Sequence, residues 1–139
     1  MPRRRSRRPA DTTFEGGTWM STPIAASDLT WLLMDRRNNL MHVHGLLTLE
    51  ATPDWDFVRT AVFDRVVSKY RVLSQVPVKR GRHWTWEDDV DFSLDRHVFR
   101  VDLPDSSYET LQGYISSQFS VPFDRSHPIW DMQLIVGPE

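Results

Sequence analysis

The sequence predicts an α/β sandwich. Short alternating apolar stretches that read as strands are interleaved with two stretches whose apolar residues recur at helical spacing. Hydrophobic residues make up 40% of the chain and aromatic residues 12%, a globular balance. At 139 residues the chain can bury one real core. An all-helical or an all-β domain fits this interleaving less well.

The first element is a short helix. Ser27 and Asp28 precede Leu29, Trp31, Leu32, Leu33 and Met34, offering polar groups to the free N–H donors of a helix that ends near 36–39. Residues 42–50 then predict a strand, with Val43, Leu47 and Leu49 on one face and His42, His44, Leu46 and Thr48 on the other. Apolar residues on both faces imply cover on both. Thr52 followed by Pro53 reads as an N-cap with proline in the first helical position. Beyond them Trp55, Val58, Val62, Phe63 and Val66 fall on one side of a helix. Residues 76–79 and 83–86 flank Arg80, Gly81 and Arg82, which predicts a β-hairpin with glycine in the turn and with Trp84 and Trp86 on one face. Glu87, Asp88, Asp89 and Asp91 follow as an acidic loop. Ser106 or Ser107 opens a second amphipathic helix carrying Tyr108, Leu111, Ile115 and Phe119. The last predicted strand covers 130–136, alternating Met132, Leu134 and Val136 against Asp131, Gln133 and Ile135.

Charge is distributed unevenly. The formal net charge is -2, yet Arg3, Arg4, Arg5, Arg7 and Arg8 crowd the first eight residues. Setting aside residues 1–19 removes those five arginines together with Asp11 and Glu15 from 17 basic and 19 acidic residues, which leaves an acidic body of 12 against 17. Residues 1–19 lack apolar periodicity and are expected to be a disordered arginine-rich tail, with the domain running from 20 to 139. Such a tail can meet nucleic acid or an anionic membrane surface, but it has no apolar core and so is not a secretory signal. The absence of cysteine excludes a disulfide framework, a thiolate metal site and a cysteine nucleophile. No apolar run approaches the roughly 18 residues needed to cross a bilayer.

Three histidine arrangements are candidates for chemistry. His42 and His44 form a His-x-His on one strand face, which supplies two metal ligands where a site needs more, so no metal is assigned. His97 follows Asp95 by two residues, which on a strand would make half of a general-base arrangement; no Gly-x-Ser-x-Gly elbow supplies a nucleophile for it. His127 precedes Pro128, Ile129 and Trp130. Here proline fixes the backbone, and tryptophan brings a large apolar surface whose N–H needs a partner.

The run Val-Pro-Phe-Asp-Arg-Ser-His-Pro-Ile-Trp-Asp-Met-Gln-Leu-Ile at 121–135 resembles the segment leading into the catalytic strand of the bacterial wax ester synthase/diacylglycerol acyltransferase family. Further likeness lies in Asp-Leu-Thr-Trp-Leu-Leu-Met-Asp at 28–35, Met41-His42-Val43, Phe-Ser-Leu-Asp-Arg-His-Val at 92–98 and Leu103-Pro104, in the family's order, from about Met20 to Gly137. The resemblance implies a chloramphenicol acetyltransferase-like sandwich of two similar α/β halves with the active site in a tunnel between them. This chain would be the incomplete first half of that two-subdomain fold. It implies triacylglycerol or wax ester synthesis, with acyl-CoA as co-substrate, diacylglycerol or a long-chain alcohol as acceptor, and no cofactor. Cytoplasmic localisation is expected, with peripheral contact at membranes or lipid droplets.

The family's chemistry rests on a His-His-x-x-x-Asp-Gly motif, whose second histidine acts as general base on the acceptor hydroxyl. This sequence holds no adjacent histidine pair and no Asp-Gly dipeptide. Accordingly no catalytic residue is assigned, cofactor-binding residues stay unassigned, and Pro128, Ile129 and Trp130 are read as a structural motif that positions a strand. The chain alone is expected to be inactive, since loss of a general base removes some 10²–10⁴-fold in rate. It departs from the family twice more. His44 stands where a small residue is expected, and Ile24-Ala25-Ala26-Ser27-Asp28 replaces Leu-Ser-Pro-x-Asp, so either Ser27 caps the helix or its start loses about 1 kcal/mol.

Other readings compete. A non-catalytic remnant could act as a partner or as a lipid- or CoA-binding module, self-associating through an unpaired sheet edge. A condensation domain of peptide-synthesising assembly lines shares the fold and the absent motif, but the run at 124–132 fits it less well. Nucleic-acid binding through the tail is the weakest of these.

Overall fold

The computed structural model describes residues 21–138. The arginine-rich segment 1–19 and its expected disorder lie outside the described residues.

Strand β1 (Thr22–Pro23) runs antiparallel to β3 (His83–Asp88), which pairs in turn with β2 (Gln75–Arg80), giving the sheet order β1-β3-β2. The β2–β3 hairpin closes through Gly81 and Arg82. Gly81 has φ 62°, and it is the one residue of the described chain with positive φ. A positive φ at the first turn position alone is the II′ pattern, in which glycine avoids the Cβ clash of other residues. Glu87 and Asp88, expected in a loop, belong to β3. Both are paired, Glu87 with Arg80 and Asp88 with Arg71. Arg80 and Arg71 hold these carboxyls below the usual carboxylate range, although burial opposes the shift.

The second sheet is a parallel pair. β4 (Val98–Asp102) lies beside β5 (Met132–Val136), joined by helix α3 (Tyr108–Gln118) in a βαβ unit. The predicted strand at 130–136 therefore starts two residues late, because Trp130 closes a tight turn onto the Pro128 carbonyl (3.0 Å) and the ladder opens with Met132 N–H donating to His97 O (2.7 Å). The Ser107 hydroxyl caps α3 by accepting from Thr110 N–H (3.2 Å). Leu111 and Ile115 of the predicted stripe are half-buried. Tyr108 and Phe119, at its ends, are exposed. The Tyr114 hydroxyl donates to the Gln133 side chain and so pins α3 to β5.

Helix α1 (Ala26–Met34) has Ala25 as its N-cap and no side-chain cap; Ser27, the proposed alternative, spends its hydroxyl on Asp28. Helix α2 (Trp55–Val62) is capped by Asp54, not Thr52, with Asp54 Oδ1 accepting Phe57 N–H at 2.8 Å. Pro53 thus precedes the cap. The helix continues as a π-helical turn, Phe63–Val67, in which Ser68 N–H reaches back to Phe63 O (2.9 Å). The wide turn shifts the buried face by one residue. Val67 is buried where Val66 was expected, and Phe63 is exposed.

A small core of Val62, Val67 and Val98 joins α2 to the start of β4, with Trp55, Val58, Phe92, Leu94 and Trp130 packed against it. The predicted strand at 42–50 does not form: those residues join no ladder and make no backbone hydrogen bond with any described residue. Alternation sets which face a side chain takes, but a strand also needs a neighbour, and no described strand lies alongside. Among the described residues no helix is long and apolar enough to cross a membrane.

Candidate functional site

Helix α1 ends at Asp35, whose N–H donates to Trp31 O (3.1 Å) and whose side chain gathers its surroundings. A tight turn closed by reciprocal Arg36 and Asn39 hydrogen bonds (3.0 and 2.8 Å) folds the chain back, so that Met41 N–H donates to Asp35 Oδ1 at 2.9 Å. From far along the chain, Arg125 Nη2 donates to Asp35 Oδ2 (2.8 Å) and to the Leu32 carbonyl (2.8 Å). Leu32 O is one of the carbonyls that a helix C-terminus leaves without an internal partner, and a cation there also meets the negative end of the helix dipole. Arg125 therefore caps α1. Burial pushes the Asp35 carboxyl upward. The Met41 N–H, the Arg125 hydrogen bond and charge, and the nearby His42 together hold its pKa below the usual carboxylate range.

His42 packs its ring on Phe123, centroids 4.5 Å apart, with Nε2 4.0 Å from Asp35 Oδ1 and no hydrogen-bond partner. These groups form the polar end of a pocket of about 350 Å³ whose walls include Trp31, Met41, Trp86, Phe123 and Ile129.

A second cluster lies at the entrance to β5. The His97 ring is sandwiched between Phe92 and Trp130, centroids 5.3 and 4.8 Å away and nearly parallel to both. Its Nδ1–H donates to Trp130 O (2.8 Å), since a carbonyl can only accept, while Nε2 is enclosed without a partner. Trp130 Nε1–H donates to Leu73 O (2.7 Å). Pro128 is buried, and Ile129 lines the Asp35 pocket. His127 Nδ1 lies 3.2 Å from Asp89 Oδ2 and 3.4 Å from Arg96 Nη1. It cannot donate to one and accept from the other at once, and the shorter contact with a carboxylate makes it the donor to Asp89.

The remaining candidates are dispersed. His44 lies against Phe119 (4.4 Å), 5.9 Å from the His42 ring and facing a different aromatic. Among the described residues no three His, Cys, Asp or Glu side chains cluster to hold a metal. Asp95 does not pair with His97. Residues Leu94–Arg96 form a 3-10 turn instead of strand, which rotates Asp95 outward to an ion pair with Arg59. His97 and His42 both keep Nε2 enclosed without a hydrogen-bond partner, and Asp35 accepts a hydrogen bond through each oxygen. The arrangement holds and orients the groups around the pocket.

Sequence reasoning singled out Pro128, Ile129 and Trp130 but passed over Asp35 and Arg125 as a pair. Both residues sit inside the segments that carry the family resemblance, at 28–35 and 121–135, and that was the available signal.

A family model described as the wax ester synthase/diacylglycerol acyltransferase catalytic domain matches residues 24–139. The chain is similar to an O-acyltransferase of Acinetobacter baylyi, 28% identical over 122 residues that cover 84% of this chain and 26% of that protein. It is also similar to a probable diacylglycerol O-acyltransferase of Mycobacterium tuberculosis, 32% identical over 130 residues covering 86% and 46% respectively. Among solved structures, the wax ester synthase/diacylglycerol acyltransferase from Marinobacter aquaeolei superposes with a TM-score of 0.55 at 21% identity, over 82% of this chain and 29% of that one. At that identity the likeness speaks for the fold. The chain spans 26% and 46% of the lengths of the two curated relatives.

Proposed function

Because the chain belongs to the wax ester synthase/diacylglycerol acyltransferase family, we propose that it serves acyl transfer from an acyl-CoA thioester to the hydroxyl of diacylglycerol or a long-chain alcohol, and that these residues supply scaffold, not the reacting groups. The observation that carries this reading is the enclosure of the candidate histidines. His42 and His97 keep Nε2 buried, and the sequence holds no adjacent histidine pair to act in their place. Pro128, Ile129 and Trp130 then act as a positioning motif. Pro128 and the His97–Trp130 stack fix the entry to β5, and Ile129 joins that entry to the Asp35 pocket.

The 139 residues by themselves carry no turnover in this account. The test incubates the purified chain with labelled acyl-CoA and either diacylglycerol or a long-chain alcohol. No product above a boiled control is expected, and clear product would overturn the scaffold assignment.

A binding role without turnover is the second reading, favoured by the apolar pocket beside Asp35 and by the exposed Val43, Leu46, Leu47 and Leu49. It includes peripheral contact with a membrane or lipid droplet, and self-association through an unpaired sheet edge.

A further inference from the structure

Asp89 follows β3 directly, and its carboxylate is taken almost wholly out of water, with 7% of the side chain exposed. Its backbone holds it there: Asp89 N–H donates to Ser74 O (2.9 Å), and Asp89 O accepts Phe92 N–H (3.2 Å). A carboxylate buried that far has to be paired. Oδ1 accepts Asp91 N–H (3.0 Å), and Oδ2 has His127 Nδ1 at 3.2 Å. Arg96 does not take this place, because its Nη1 donates to Asp91 O at 2.8 Å and approaches His127 at 3.4 Å. Without the imidazole, one buried oxygen of Asp89 would lose its donor among the described residues.

The segment 123–130 that carries His127 belongs to no helix and no ladder, so side chains have to fix it. Three do so at separate places: Arg125 on Asp35, His127 on Asp89, and Trp130 on Leu73 O. Between the outer two, the backbone hydrogen bonds stay within the segment, with His127 N–H donating to Asp124 O and Ser126 N–H to Asp124 Oδ1. His127 therefore joins this stretch to the body of the fold. Pro128 comes next with its φ fixed by the ring, and Ile129 beyond it lines the Asp35 pocket.

We propose that His127 is a positioning residue: docked through Nδ1–H on the buried Asp89 carboxylate, it sets where Ile129 stands in the pocket wall and where Trp130 enters β5. The proposal rests on the scaffold reading only for the reaction that is served. The docking is measured in the 139-residue chain without substrate, so its failure and the failure of the acyl-transfer reading are told apart.

The chain holds four isoleucines, at 24, 115, 129 and 135, so a methyl-labelled sample resolves Ile129. In nitrogen-15 spectra the neutral His127 ring is expected to carry its proton on Nδ1. His127→Phe keeps an aromatic ring and removes the donor. It should move the Ile129 methyl resonance and speed amide exchange at Trp130 and Met132 at least roughly tenfold, with the Ile24 and Ile115 resonances in place. His127→Asn sets an amide N–H close to the position of Nδ1 and should bring exchange back to within about threefold of the parent. A ring that acted by packing alone would not be replaced by the smaller asparagine. Should the phenylalanine variant fail to fold, the ring-nitrogen spectrum of the parent and the exchange rates of the asparagine variant still decide the matter. A proton on Nε2 with Nδ1 bare, an Ile129 resonance and exchange rates unmoved in His127→Phe, or an asparagine variant whose exchange is not restored overturns the proposal.

Discussion

Arg125 donates at 2.8 Å to the carboxylate of Asp35, ninety residues earlier, and with the same nitrogen caps the C-terminus of α1 through Leu32 O. One side chain thus ties the first helix to the segment that leads into β5. Replacing Arg125 by Met keeps the apolar stem and removes every donor, leaving Asp35 Oδ2 and Leu32 O unsatisfied. We expect a loss of about 1–2 kcal/mol in urea unfolding, less than for a fully buried pair because Arg125 is 38% exposed. Arg125→Lys should recover only part, since an ammonium lacks the planar fork.

The same pair makes stability depend on pH. The folded pKa of Asp35 is lowered, so its contribution is present above the unfolded value and is lost as pH falls through the folded one. With an unfolded value near 3.9, loss begins below about pH 4. Asp35→Asn should therefore be less stable than the parent chain at neutral pH, with the gap closing as pH drops below 4. Parallel unfolding curves from pH 7 to pH 3 measure this, and a gap that widens on acidification would show the sign to be wrong.

Trp130→Phe retains the ring stacked on His97 but removes the N–H that donates to Leu73 O. A loss of about 1–2 kcal/mol is expected from the carbonyl left without its donor. Near-ultraviolet circular dichroism should keep the remaining aromatic signal, whereas collapse of that signal would mean that the indole also organises the core.

The structure shows how far local pattern carries. The β2–β3 hairpin was legible because glycine in a tight turn is a local requirement, and the start of α3 was legible as Ser106 or Ser107, of which Ser107 is the cap. The strand expected at 42–50 was not, because alternation describes faces and carries no information about whether a ladder neighbour is present. At α2, Thr52-Pro53 mimicked a cap, but Asp54 one residue further accepts the Phe57 N–H and takes the role. The π-helical turn at Phe63–Val67 moved the buried position from Val66 to Val67, a shift no 3.6-residue pattern contains. Asp35 and Arg125 form a contact between distant segments, visible in the sequence only as members of two resembling runs.

Asp54→Ala and Thr52→Ala separate the two caps. The first should lower stability by about 1 kcal/mol and the second by no more than about 0.5 kcal/mol. Thermal unfolding of the two variants side by side decides it; the opposite order would return the cap to Thr52.

Gly137 packs where a side chain has no room. A Cβ there would meet Ser106 Oγ at 2.6 Å and Ser106 Cα at 3.2 Å, and that hydroxyl is already engaged in donating to Pro138 O. Gly137→Ala should cost about 1–2 kcal/mol through overpacking at the end of β5. Gly113→Ala, with nothing within 4 Å of the added carbon and a helical position, should be neutral or stabilising.

The most direct test of the account places residues 24–137 of this chain into the Acinetobacter baylyi O-acyltransferase in exchange for the matching stretch, with folding checked by circular dichroism before labelled acyl-CoA and acceptor are added. A folded chimera that forms labelled ester, and loses that activity when Arg125 is replaced by Met, is the predicted result. A folded chimera with no activity would contradict the claim that these residues are an acyltransferase scaffold.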